Sequence, residues 1–178
     1  MKNKVENSIR GFTLVETLVA ISILAISITG PMIIAQKGIG SSVYARDEIT
    51  SFYLAQEAVE YIRAIRDSNR TNGAANWLTS LSTCLSGGIC KVDGTQMVYS
   101  TGVTTCGASC PNLTFDSVNH FYGYGAGGNW KNTIFKRSIT INETVPNVEA
   151  IVSVTVTWTS TLFSTARSFT VKEHMFNF

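Results

Sequence analysis

The feature that most constrains this chain is an uncharged, apolar run that begins directly after Glu16. From Thr17 to Gln36 the sequence holds twenty residues without a charged side chain. As a helix, with a rise of about 1.5 Å per residue, this run would be about 30 Å long, which matches the hydrocarbon core of a bilayer. The run therefore predicts one helix of membrane-spanning length.

The residues before this run form a short motif. Residues 10–16 read R-G-F-T-L-V-E, so that Gly11 and Phe12 precede the apolar run and Glu16 stands near its start. A charged side chain at the centre of a bilayer costs about 2.5–3.5 kcal/mol even on the lenient insertion scales, and such residues are usually functional or paired. Glu16 therefore predicts a role other than anchoring.

This stretch resembles the N-terminus of type IV prepilins and type II secretion pseudopilins, in which a leader ending in Gly precedes an aromatic residue and T-L-x-E. The matching residues are Gly11, Phe12, Thr13, Leu14 and Glu16. The resemblance implies that residues 1–11 are a leader, that a prepilin peptidase cuts between Gly11 and Phe12, and that Phe12 is N-methylated. We expect Glu16 to dock the subunit in a filament by pairing with the new amine of a neighbour.

Two plainer interpretations compete with this one. A basic start before an apolar run is typical of a secretory signal peptide, but this run is longer than a usual signal core and no small-residue cleavage site closes it. A plain single-span anchor fits the length, although Glu16 argues against it.

The charge distribution predicts the orientation of the chain across the membrane. The first eleven residues hold three basic side chains and one acidic side chain, and the remaining chain holds eleven of each. A positive flank stays on the cytoplasmic side, so we expect the part after the span to be extracytoplasmic. The neutral remainder gives no electrostatic case for a nucleic-acid partner.

The four cysteines all follow the apolar run, at Cys84, Cys90, Cys106 and Cys110. Outside the cytoplasm disulfides persist, and four cysteines allow three pairings. We expect the local pairing, Cys84 with Cys90 and Cys106 with Cys110, because short loops close at low entropic cost. The alternative is a zinc site, but the spacings C-x5-C and C-x3-C lack the usual C-x2-C pairs, so no metal is predicted.

Residues 12–68 predict one long helix, whose membrane half covers about 12–36. Gly30 and Pro31 interrupt this half, and a proline removes a backbone hydrogen bond, so we expect a kink or loosening there. Pilin-like chains carry a similar helix-breaking proline. The second half is amphipathic, and its apolar stripe, expected to pack on a sheet, contains Leu54, Ala58, Tyr61, Ile62 and Ile65. Asn and Gly residues at 69–73 predict its end.

Residues 69–178 predict a globular head. A short strand is expected at 97–103, and 121–128 are expected to form a flexible loop with exposed rings. Alternation at 135–141, 150–158 and 167–175 predicts an antiparallel meander. The fold class is therefore α+β: a long, protruding N-terminal hydrophobic helix packed in its C-terminal half against a small antiparallel sheet, as in the pilin fold.

Assembly rather than catalysis is the predicted function. His120 and His174 stand isolated in the sequence, so neither an enzyme nor a cofactor is expected. The resemblance favours a minor pilin subunit of a type IV pilus, closest to V-type minor pilins and I-type pseudopilins. The alternatives are a type II secretion pseudopilin and a signal-anchored surface binding module.

The resemblance also implies partners and a location. The expected partners are other pilin or pseudopilin subunits, the prepilin peptidase, the inner-membrane assembly platform and, before assembly, membrane lipid. The expected location is the cytoplasmic membrane, with a single pass and the head outside, and then a cell-surface or periplasmic filament.

Overall fold

The computed structural model describes residues 11–96, 102–160 and 165–178. The chain divides into two compact units, Met1–Val43 and Tyr44–Phe178. The first unit holds the uncharged run, and the second holds the sheet and both disulfides.

Helix α1 spans Leu14–Thr71, 58 residues, close to the expected 12–68. From Leu14 to Ile39 its apolar side chains are exposed. The helix continues through Gly30 and Pro31, so the proline is not accompanied by a break, and a kink at this point stays a prediction.

The end of α1 is a Schellman motif. Gly73 adopts a left-handed conformation with φ of +68°. The N–H of Ala74 donates to the carbonyl of Asn69 at 2.9 Å, and that of Gly73 to the carbonyl of Arg70 at 3.0 Å. These bonds satisfy the last helical carbonyls, which confirms that the helix ends where Asn and Gly predict it.

One antiparallel sheet of seven strands follows a short 3-10 helix at Thr79–Cys84, within the described residues. The strands are β1 Cys90–Val92, β2 Val103–Thr105, β3 Asn112–Asp116, β4 Tyr122–Gly123, β5 Trp130–Val145, β6 Glu149–Trp158 and β7 Arg167–Phe176. The long strand β5 pairs with β6 and also with β1 and β3, while β7 pairs with β6. The meander expected from alternation is confirmed as β5, β6 and β7.

The core of the second unit forms between α1 and the sheet. On the helix, Leu54, Ala58, Ile62 and Ile65 are all buried, as the amphipathic stripe predicts. On β6, alternate residues are buried, and they belong to the same apolar cluster as the helical stripe. Each fully buried aliphatic side chain contributes about 1.5–3 kcal/mol, so this layer is the main source of stability.

The expectation of a flexible loop at 121–128 is wrong for its first residues. Tyr122 and Gly123 form β4, paired with Phe115 and Thr114 of β3. The rings of Tyr122 and Tyr124 are half-buried, and Tyr122 packs 5.1 Å from Phe115. Of the strand expected at 97–103, residues 97–101 lie outside the described residues, and β2 begins at Val103.

Candidate functional site

The residues expected to be processed lie just before the helix. Gly11, Phe12 and Thr13 are not helical, and Phe12 is 79% exposed. No atom lies within 4 Å of the place where a side chain on Gly11 would begin. Packing therefore gives no reason for a glycine at this position.

Thr13 caps the helix. The N–H of Glu16 donates to Thr13 Oγ1 at 3.3 Å, and the N–H of Thr17 donates to the Thr13 carbonyl at 3.2 Å. Thr13 and Glu16 have the spacing of a capping box, in which a threonine is followed three residues later by a glutamate. The sequence itself carries this spacing, as T-L-V-E at residues 13–16.

The cap gives Glu16 a defined place in the first helical turn. The partial positive charge of a helix N-terminus favours an acidic residue in this turn. The cap also leaves Gly11 and Phe12 outside the helix, and both residues are exposed.

The hydroxyl groups of the apolar segment are satisfied within the helix. Thr17, Ser22, Ser27 and Thr29 donate to backbone carbonyls three or four residues earlier, at 2.6–2.8 Å. Lipid offers no hydrogen-bond partner, so this arrangement suits a bilayer. By length and composition α1 is able to cross a membrane, and Glu16 is the one charged residue between Phe12 and Gln36.

The four cysteines form two disulfides, Cys84–Cys90 and Cys106–Cys110. This is the local pairing expected from the sequence. The two bridges are neighbours: the N–H of Cys106 donates to the carbonyl of Ile89 at 2.8 Å, and Cys110 Sγ lies 3.6 Å from the carbonyl oxygen of Cys90. Cys84–Cys90 joins the end of the 3-10 helix to the start of β1, and Cys106–Cys110 joins the residue after β2 to the loop that leads into β3.

Arg137 is a buried residue that the sequence reasoning did not single out. Its side chain is fully buried on β5. Nη1 donates to the carbonyl of Leu54 in α1 and Nη2 to the carbonyl of Val92 in β1, both at 2.9 Å. Nη1 also lies 3.3 Å from Glu57 Oε2. One guanidinium therefore joins the helix, β1 and β5.

The signal for Arg137 was present in the alternation of β5. Phe135, Ile139 and Ile141 are buried, and Arg137 occupies the same parity as these apolar residues. A charged residue in an apolar row is buried if it finds partners. Nearby, burial raises the pKa of Tyr124, and the positive charge of Arg137 partly offsets this increase.

His174, one of the two histidines, lies against an acidic side chain. Although His174 is isolated in the sequence, its Nδ1 lies 2.6 Å from Glu149 Oε1, because β6 and β7 are neighbours. The hydrogen bond to His174 lowers the pKa of Glu149. Among the described residues no group of three or more histidine, cysteine or acidic side chains is placed to hold a metal ion.

One family model matches the N-terminal segment. Residues 7–30 match the family model for the prokaryotic N-terminal methylation motif. No curated protein and no solved structure matches the chain. The match spans Gly11, Phe12, Glu16 and residues 17–30 of the apolar run, and it supports a type IV pilin or pseudopilin-like protein. Proteins with this motif are in general structural rather than enzymatic.

Proposed function

We propose that this chain is a minor pilin subunit of a type IV pilus. The observation that carries the proposal is the methylation motif at 7–30, which overlaps the first part of α1, where the apolar side chains are exposed and Glu16 is the one charge up to Gln36. An exposed apolar helix of this length is stable in lipid or among other such helices. A small sheet stapled by two disulfides suits the extracytoplasmic side.

The mechanism is assembly. The subunit resides in the cytoplasmic membrane as a single-pass protein with its second unit outside. A prepilin peptidase removes residues 1–11 and Phe12 becomes the methylated N-terminus. The assembly platform then transfers the helix from lipid to a filament of other pilin subunits, which this subunit primes or caps. We do not expect this chain to act as an enzyme.

Glu16 supplies the electrostatic step. Cleavage leaves a positive amine on Phe12, four residues before the carboxylate of Glu16. Both charges lie at the start of an apolar segment, where an unpaired charge is costly. In a filament the amine of one subunit pairs with Glu16 of its neighbour. Breaking a buried pair by removing one partner costs about 3–5 kcal/mol, which corresponds to more than about a hundredfold in incorporation.

The test is Glu16→Val, with recovery measured in a sheared-filament fraction and in the membrane fraction. Membrane insertion and cleavage should persist, while entry into the filament should fail. Glu48→Val is a matched control, because it removes an exposed carboxylate from the same helix beyond the apolar run. If the subunit acts only at the tip, filament number per cell is the readout. Equal incorporation of wild type and Glu16→Val would rule out the docking role.

Processing has a separate test. Intact-mass measurement on membrane fractions should show the loss of residues 1–11 and the gain of one methyl group. A bulky residue at position 11 should block cleavage, because we expect the peptidase to approach the backbone closely where glycine leaves it bare. A mature protein that starts at Met1, or one cut after the apolar run, would contradict the pilin proposal.

A pseudopilin of a type II secretion system is the second candidate, because the same motif occurs in both classes. Neighbouring genes separate them: a secretin with secreted hydrolases favours the pseudopilin, and a retraction ATPase favours the pilus. A surface binding module would rest on a cavity of about 390 Å³ in the second unit. This cavity is lined by Thr50, Tyr53, Leu54, Glu57 and Tyr122.

A further inference from the structure

Helix α1 is supported in two different ways along its length. The first support rests on the proposed membrane function: in lipid, every backbone group up to about Gln36 must be bonded within the helix. The second support is tertiary packing, which begins at Tyr44, where the side chain packs against the core and meets Arg167 in a cation–π contact at 5.3 Å. Between Gln36 and Tyr44 the expected lipid support has ended and no residue is fully buried, although Gly40 and Val43 are half-buried.

The segment between the two supports, Lys37–Val43, ends at the division between the two units. None of its residues is buried. Its helical conformation therefore depends on the intrinsic preference of its residues, which include Gly38, Gly40 and two serines. Glycine lowers the helix equilibrium about fivefold relative to alanine, so two glycines lower it by about 25-fold.

Neither packing nor backbone conformation requires glycine at position 38. No atom lies within 4 Å of the place where its Cβ would be, and its φ is not in the left-handed range. The remaining physical effect of this glycine is to weaken the helix at the point where the helix has no other support.

We propose that Lys37–Val43 is a hinge at which α1 opens and bends while both units keep their own structure. The hinge lies just beyond the uncharged run, at the expected boundary of lipid and water. It gives the subunit a place to change the direction of its helix when it leaves the bilayer for the filament, without unfolding the core between α1 and the sheet.

The test is hydrogen exchange of backbone amides, followed by mass spectrometry on the full-length chain in lipid nanodiscs. Amides of residues 40–44 should exchange faster than those of 20–34 and 54–65. After correction for intrinsic rates, Gly38→Ala should slow exchange at 40–44 by about fivefold. Gly30→Ala is the matched control: it is the same change in the same helix, it also has open space at the Cβ position, and lipid already enforces the helix there.

The outcomes separate this proposal from the proposed function. Protection of 40–44 equal to that of 54–65, or no effect of Gly38→Ala, would overturn the hinge while leaving membrane residence intact. Fast exchange across 20–34 would instead contradict membrane residence. A slow segment at 20–34, a fast one at 40–44 and a response to Gly38→Ala alone would support both.

Discussion

Replacing Arg137 tests whether one buried guanidinium holds the helix to the sheet. In Arg137→Met, the carbonyls of Leu54 and Val92 lose the donors that now reach them at 2.9 Å. Each of these hydrogen bonds has a charged donor, and such bonds contribute about 1.5–3 kcal/mol. The carboxylate of Glu57, whose side chain is 42% exposed, turns to water and adds little. The variant no longer pays the desolvation cost of a buried charged guanidinium, and this offsets part of the loss. We expect the free energy of unfolding to fall by about 2–4 kcal/mol.

The assay is urea unfolding of the fragment Ala45–Phe178, with Tm as a second readout. At about 4 °C per kcal/mol for a chain of this size, Tm should fall by about 8–16 °C. Arg137→Lys should be no better than Arg137→Met, because one ammonium does not reproduce the planar fork. The control is Lys136→Met, on the adjacent and exposed position of β5, which should stay within about 0.5 kcal/mol of wild type. An Arg137→Met variant as stable as wild type, or an Arg137→Lys variant with the full wild-type stability, would refute the reasoning.

Three further predictions concern the second unit. The fragment that begins at Ala45 should fold alone, because the first buried residue, Asp47, follows this point; an unfolded or aggregated fragment by circular dichroism and sedimentation would count against it. Reduction of the disulfides should lower its free energy of unfolding by about 2–4 kcal/mol per bridge, toward the lower end since the loops are short; titration of four free thiols in the oxidised fragment would contradict the two bridges. Hydrogen bonds from the side chain of Asn119 and the backbone of Val118 lower the pKa of Asp116. The stabilisation is therefore complete above the unfolded pKa of about 3.9 and is lost as pH falls through the lower folded value. Between about pH 5 and 2, the free energy of unfolding measured in urea should fall less for Asp116→Asn than for wild type. Identical pH profiles for the two proteins would exclude a stabilising role of the Asp116 carboxylate.

The sequence predicted the long helix and the C-terminal strands because their patterns are local. The uncharged run, the stripe around Ile62 and the alternation in β6 each report their environment within a few residues. The disulfides were predictable for the same reason, since each bridge closes a loop of only a few residues. The motif at residues 10–16, which gives the candidate site, is likewise one continuous stretch.

The short strands and the polar contacts were harder to predict, because their partners are distant in the chain. Tyr122 and Gly123 carry a glycine-rich loop signature, yet they pair with β3 once the hairpin closes. The contact between His174 and Glu149 spans 25 residues and exists because β6 and β7 are adjacent. Neither interaction leaves a local pattern.

By itself, the sequence determined the apolar run that is long enough to cross a membrane, the methylation motif at its start and which C-terminal segments become strands. Hydrophobic periodicity and charge act on a residue and its immediate neighbours, so these properties do not depend on the finished fold. Only the tertiary structure decided that Arg137 is buried, because its acceptors, Leu54 and Val92, lie 83 and 45 residues away in sequence. A buried charge is tolerated only where such partners converge, and that convergence arises from the packing of α1 on the sheet.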